Sequence, residues 1–250
     1  MLSPTDLQIY GSAVMPEDDV TTNVGGAIDE TTLVSFTPLD VTGPIEMVSD
    51  NAGDTTQTIT VTGRAADGRI LTDTKSLNGT TVVDLAGSFK RLLKAELSAP
   101  AAGIVTLRKN GAGGDLMIFP AGITTIRRPF YNAAADVAGG VVREYHDKVF
   151  YKNTSTTDAL LMAQVLLETD LGGKITFGLE AALNGTGDNG ANGRLTAPVG
   201  IIFDAGAKSV PGGDLPPGAA IGMWLKLTLA AGEAANAGSF TPKITGRGAA

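Results

Sequence analysis

The chain has 250 residues with a 43% hydrophobic share, enough for one large or two ordinary β domains with a real core. Aromatics at 5% and charged residues at 18% are low while Gly 33 and Pro 12 imply many turns, a mixture that suits strands filled by Val, Ile, Leu and Thr. Cysteine is absent, which excludes disulfides, thiolate metal sites and thiol redox chemistry, and the net charge of -7 is unevenly placed.

Ten acids and no Lys or Arg precede Arg64, so nucleic-acid binding by this region is disfavoured. Residues 1–30 mix Pro, Gly, Asp and Thr and read as an extended acidic N-terminal arm, either a solvated lead-in or an element that docks on a basic partner. Glu17, Asp18 and Asp19 are its candidate contact residues, and as a set they lack the spacing of a calcium loop. The N-terminus shows neither the basic flank nor the apolar stretch of a secretory signal, so a soluble chain without an export address is expected.

From Thr31, TTLVSF predicts a first strand and PIEMVS a second. TTQTITVTGRAADGRILTDTKSLNGTTVV, residues 55–83, then reads as strand, turn, strand, turn, strand. Ile59 and Val61 alternate with threonines, and Gly68 and Asn78-Gly79 supply the turns. FKRLLKAELS has helical composition, but a period-2 row and its place between strands favour strand. IVTLRK, Leu116–Phe119 and Ile123-Thr124-Thr125 follow.

A boundary is expected between residues 125 and 140. The domain organisation is therefore an arm over 1–30, a first β-sandwich domain over 31–130 and a second over 131–250, each immunoglobulin-like or jelly-roll-like. In the second half VVREYHDKVFYKN, LLMAQVLLE, KITFGLE, VGIIFD, MWLKLTL and FTPKITG are candidate strands, with LLMAQVLLE alternatively a short helix. Leu183–Arg194 is a Gly- and Asn-rich loop, expected to be flexible and without a bound cation. The Asn-x-Ser/Thr triplets at Asn78, Asn153 and Asn184 read as turn chemistry.

His146 is the only histidine, and no nucleophile elbow, Walker loop, zinc signature or dinucleotide fingerprint accompanies it. A structural role is therefore expected, with no catalytic, cofactor or metal residues assigned. Trp224 alternates onto the Lys226 face of its strand, which makes it a candidate contact for a partner or a sugar ring. The pairs Lys90-Arg91 and Arg127-Arg128 lack interleaved aromatics, so they are expected to face acidic patches rather than nucleic acid.

Tyr10-Gly11-Ser12-Ala13, ITVTGRAADGR, SLNGTTVV and the closing GMWLKLTLAAGEAANAGSFTPKITG resemble structural proteins of tailed-bacteriophage particles, over residues 10–130 and 141–247. The closing segment resembles the last strands of immunoglobulin-like modules that decorate phage heads and tails. The resemblance implies a non-enzymatic capsid decoration (cement) protein, a homo-oligomer and most simply a trimer, assembled in the host cytoplasm. It would bind the major capsid protein or another virion protein, with no cofactor, nucleic acid or membrane involved. A tail, baseplate or fibre-attachment component is the alternative, and a carbohydrate-binding module using Trp224 and the Leu183–Arg194 loop ranks below it.

Overall fold

The computed structural model describes residues 2–36, 43–136, 140–233 and 238–248. Residues 137–139, within the stretch where a boundary was expected, and 234–237, before the final strand, lie outside the described residues. The chain divides into two compact units: unit 1 combines 1–29 with 129–250, and unit 2 is the continuous stretch 30–128.

In chain order the strands are β1 (Leu7–Val14), β2 (Gly25–Val34), β3 (Gly43–Ser49), β4 (Thr58–Arg64), β5 (Ile70–Ser76), β6 (Val83–Phe89), β7 (Arg91–Leu97) and β8 (Val105–Lys109). They continue as β9 (Asp115–Phe119), β10 (Thr125–Arg127), β11 (Arg143–Asn153), β12 (Leu160–Thr169), β13 (Ile175–Leu183), β14 (Lys208–Ser209), β15 (Ala220–Leu229) and β16 (Thr241–Gly248). A single 3₁₀ turn, Pro4–Asp6, is the one helical element among the described residues, so the fold is all-β and sandwich-type, built from several sheets.

In unit 1, β13, β15, β11 and β1 lie side by side, each pair antiparallel. β11 and β15 are central and nearly continuous in burial, and Ala220–Leu225 is buried without a break, so both faces of the sheet are covered. A second, three-stranded sheet has the order β14-β12-β16. LLMAQVLLE is thus a strand, antiparallel to the closing FTPKITG segment.

Two expectations for unit 1 are corrected. Residues 1–30 are not an extended arm, because Leu7–Gly11 pairs with Val149–Asn153 and buries Tyr10, Gly11 and Ser12. Alternation of Leu7, Ile9 and Gly11 with Gln8 and Tyr10 is a strand pattern that the surrounding Pro, Gly and Asp obscure. VGIIFD is not a strand either: Gly200 takes a positive φ, and only Asp204 forms a bridge, with Phe177. The segment meets β13 at that one bridge, which does not extend into a ladder.

In unit 2, β2, β10, β7, β4 and β5 follow in that order, with β10 parallel to β2 and the other neighbours antiparallel. FKRLLKAELS resolves as the end of β6 followed by β7, not as a helix. A separate sheet has the order β6-β3-β8-β9. The 55–83 stretch therefore forms a β4–β5 hairpin, but its third segment departs: β6 begins at Val83 and pairs with β3 in the other sheet. Asn78-Gly79 redirects the chain, with Gly79 at φ 57 and its amide bonded to Asp54 O at 2.9 Å.

Two buried carboxylates fasten the loops of unit 2. Asp54 accepts from Ser49 Oγ at 2.6 Å and from the amides of Ala102 and Gly103 at 2.9 and 3.0 Å. Glu46 accepts from Arg108 Nε at 2.7 Å and from the amides of Gly111 and Ala112 at 2.7 and 3.0 Å, tying down the β8–β9 turn. Burial alone would raise its pKa, but those donors outweigh it and hold the carboxyl below its ordinary value.

β4 and β7 approach closely at a bulge between Thr62 and Gly63. A Cβ on Gly63 would overlap Arg91 O and stand 2.7 Å from Phe89 Cδ1. Gly63→Ala should lower unfolding free energy by about 1–3 kcal/mol, measured by denaturant titration, and an unchanged midpoint would contradict the close approach.

Candidate functional site

The strongest concentration of buried polar chemistry in unit 1 lies on one face of β11, β13 and β15. Cross-strand register pairs His146 with Lys226 and Lys148 with Trp224, so these side chains share a face. Two segments cover that face: the 184–204 excursion, and residues 17–26 before and at the start of β2. Their contacts are backbone as well as side chain. Asn23 N donates to Gly190 O at 2.8 Å, Asn189 N to Val24 O at 3.0 Å and Gly26 N to Gly187 O at 3.0 Å.

Lys148 anchors the middle of this face and is fully buried. Its Nζ donates to Glu180 Oε1 at 2.7 Å, Gly26 O at 2.7 Å and Gly187 O at 2.8 Å, with Gly185 O at 3.4 Å. The ammonium also lies 4.7 Å from the Phe150 ring centroid and 5.8 Å from that of Trp224. Burial pulls the Lys148 pKa down, and the Glu180 carboxylate opposes that shift. Glu180 Oε2 has no hydrogen-bond partner. A Cβ on either Gly185 or Gly222 would overlap that oxygen, which explains why both positions are glycine.

A second buried cation lies near one end. Arg194 is 2% exposed, and its guanidinium donates to Asp19 Oδ1 at 2.9 Å and to Tyr131 O, with the Tyr145 ring centroid 4.9 Å away. Its carbonyl accepts from His146 N at 2.7 Å and lies 3.1 Å from His146 Nδ1. With Nδ1 protonated toward that carbonyl, Nε2 is the bare nitrogen, and it is buried without a partner while Phe203 packs edge-on to the ring at 5.3 Å. Burial therefore lowers the His146 pKa, against the Arg194 carbonyl and the Glu144 charge, which favour protonation. Asn189 completes the fastening by donating to Gly193 O at 2.6 Å and Thr196 O at 3.2 Å.

The candidate contact residues fare differently. Asp18 is exposed, but it caps its own turn through Val20 N, Thr21 N and Thr21 Oγ1, and those bonds, the Thr21 hydroxyl first, hold its pKa down. Asp19 is half-buried and paired within the unit to Arg194, with Arg143 at 3.5 Å, so its charge is compensated internally. Glu17 is exposed.

Trp224 corrects its expected role, being 1% exposed. The alternation onto the Lys226 face was right, but that face is covered: a Cβ on Gly25 would come 2.7 Å from the indole Cη2. No ring face remains for a sugar or a partner. The Leu183–Arg194 loop is likewise pinned at Asn184, Gly187, Asn189, Gly190 and Arg194 rather than loose. Asn153 performs turn chemistry through Ser155 N, whereas Asn184, at φ 54, accepts from Ala220 N at the start of β15.

Sequence reasoning missed Lys148, Glu180 and Arg194. A lysine and an arginine among apolar or glycine-rich neighbours are the available signals, but nothing local pairs them with acids 32 and 175 residues away. Among the described residues no three His, Asp or Glu side chains gather as a metal-ion set.

What remains outward is apolar. Beyond the fastened base, Leu195, Val199 and Ile202 are exposed, with Val199 at 98% and Ile202 at 78%. The chain matches no protein-family model, and neither the curated proteins nor the solved structures returned a match.

Lys148→Met should destabilise the protein by about 3–5 kcal/mol because it strands the buried Glu180 carboxylate, and adding Glu180→Leu should restore a large part of that loss in denaturant unfolding. Equal loss in the single and double variants would show that the pair is not the cause. His146 has its pKa lowered in the fold, so its contribution is fully present above about pH 6.5 and fades as pH falls through the lowered folded value. The wild-type stability slope over that acid range should exceed that of His146→Gln by up to about 1.4 kcal/mol per pH unit. Superimposable pH profiles would remove the histidine from the account.

Proposed function

We propose that the chain is a non-enzymatic virion structural protein, a capsid decoration protein that binds the major capsid protein shell as a homo-oligomer. The observation that carries this reading is the 195–202 segment, whose outward side chains are Leu195, Val199 and Ile202 on a base fixed by Arg194 and Asn189. Apolar side chains left in water on a fixed support are what a contact element needs, since little ordering entropy is lost when they dock.

The polar groups fit the same reading. His146, Lys148, Arg194, Glu46 and Asp54 each spend their hydrogen bonds on holding loops or strands. Sheet area and fastened loops favour a protein whose product is contact, and the resemblance of the opening, meander and closing segments to phage structural proteins supplies the partner. Covering of Trp224 removes the foothold of the carbohydrate-binding alternative.

A density map of the assembled particle tests the proposal directly. Density for this chain on the outer face of the capsid lattice is expected, and its restriction to the tail would overturn the decoration role. Val199→Asp with Ile202→Asp should lower occupancy about tenfold or more, taking each docked apolar anchor as worth about 1–2 kcal/mol, while thermal unfolding stays unchanged. Full occupancy by that variant would remove the segment from the interface.

A further inference from the structure

Lys90-Arg91 and Arg127-Arg128 are 37 positions apart in sequence, yet unit 2 brings them to one edge region. Arg64 at the end of β4 stands opposite Arg91 at the start of β7. Lys90 N donates to Arg64 O at 2.7 Å. The chain leaving β10 stays beside β7, with Arg128 N bonded to Leu93 O at 2.9 Å. Three arginines, Arg64, Arg91 and Arg128, thus form a row across adjacent strands, each half-buried and still reached by solvent.

Within that row the Arg128 guanidinium carries an unsatisfied donor. Its Nη1 is buried and has no hydrogen-bond partner. The charge acting on it is that of Arg91, which in turn feels Arg64, so like charges succeed one another along the row. Burial first and Arg91 second push Arg128 down to about 10, which leaves it charged at neutral pH. A buried cation beside another cation, holding an unused N–H, cannot relieve itself by releasing its proton there. It can do so by taking an anion.

We propose that Arg128, with Arg91 and Arg64 beside it, is a binding site for one oxyanion, a carboxylate or a phosphate group. The planar guanidinium fork offers paired N–H donors at the spacing of two oxygens on one centre, which a monatomic anion does not match. Two sources carry that chemistry. One is free inorganic phosphate. The other is a carboxylate on the acidic unit 1 of a second copy, whose 16 acids against 9 bases account for the whole net charge of -7, while unit 2 is balanced at 10 and 10.

Thermal unfolding of the full chain at pH 7, in sodium phosphate and in sodium chloride of equal ionic strength, tests the site. Phosphate should raise the midpoint by about 2–4 °C. Arg128→Met removes both the unused donor and the repulsion, so it should unfold at the same or a higher temperature in chloride and lose the phosphate response. No phosphate-specific rise in the wild type, or the same rise in Arg128→Met, overturns the proposal. Should that variant fail to fold, Arg128→Lys keeps the charge without the fork, and an undiminished response there overturns the proposal equally.

Sedimentation velocity at low salt separates the sources. Association that grows with protein concentration, is competed by phosphate and disappears in Arg128→Met or Arg128→Lys assigns the site to a carboxylate of a second copy. A wild type that shows the phosphate response without such association assigns it to the free anion.

Discussion

A backbone that lies over a sheet without joining it must find partners for its carbonyls, and in unit 1 the ammonium of Lys148 meets that demand. It shares three protons among Glu180 and the carbonyls of Gly26, Gly185 and Gly187, joining β11, β13, the start of β2 and the long glycine-rich loop. A buried carbonyl left without a donor costs about 1–3 kcal/mol, and of the three Gly187 O also accepts from the Gly26 amide. The glycines follow from the same demand, because a Cβ at Gly185 or Gly222 would occupy the place of the Glu180 carboxylate. The covering of Trp224 follows as well.

Arg194 repeats the device with different chemistry. Its guanidinium joins Asp19 and Tyr131 O while its own carbonyl serves His146, so one residue in the loop is both donor hub and acceptor. Acidic residues near the N-terminus thereby lose the freedom their composition suggests. The charges of Lys148, Glu180 and Arg194 work inward, while Leu195, Val199 and Ile202 of the 195–202 segment face water. That division of labour, with polar groups fastening and apolar groups presented, underlies the structural reading of the protein.

Strands were legible where a local period exists. Thr58–Arg64, Arg91–Leu97 and Ala220–Leu229 each announce themselves by alternation or an unbroken apolar run, and the hairpin turn at Gly68 by its residue type. β1 was hidden because its flanks are rich in Pro and Asp and Gly11-Ser12 interrupts its apolar positions. The opposite error occurred at VGIIFD, where β-branched residues suggested a strand but pairing with β13 stops at the single Asp204 bridge. Sheet membership was beyond local reading: β6 follows β5 in sequence yet joins β3. The buried pairs were beyond it too, since the partners of Lys148 and Arg194 come from positions that only the folded chain brings near.

The division of the chain fixes an order of events. Unit 2 is continuous from Glu30 to Arg128, but unit 1 is interrupted by it, and Leu7 waits for Asn153 before the β11 side of its strand is paired. At a translation rate of about 5–20 residues per second, that wait is on the order of ten seconds. During it that side of the first strand is an open edge, while unit 2 already has every segment it needs. The continuous unit can therefore complete its pairing first, and the interrupted one closes β1 onto β11 only afterwards.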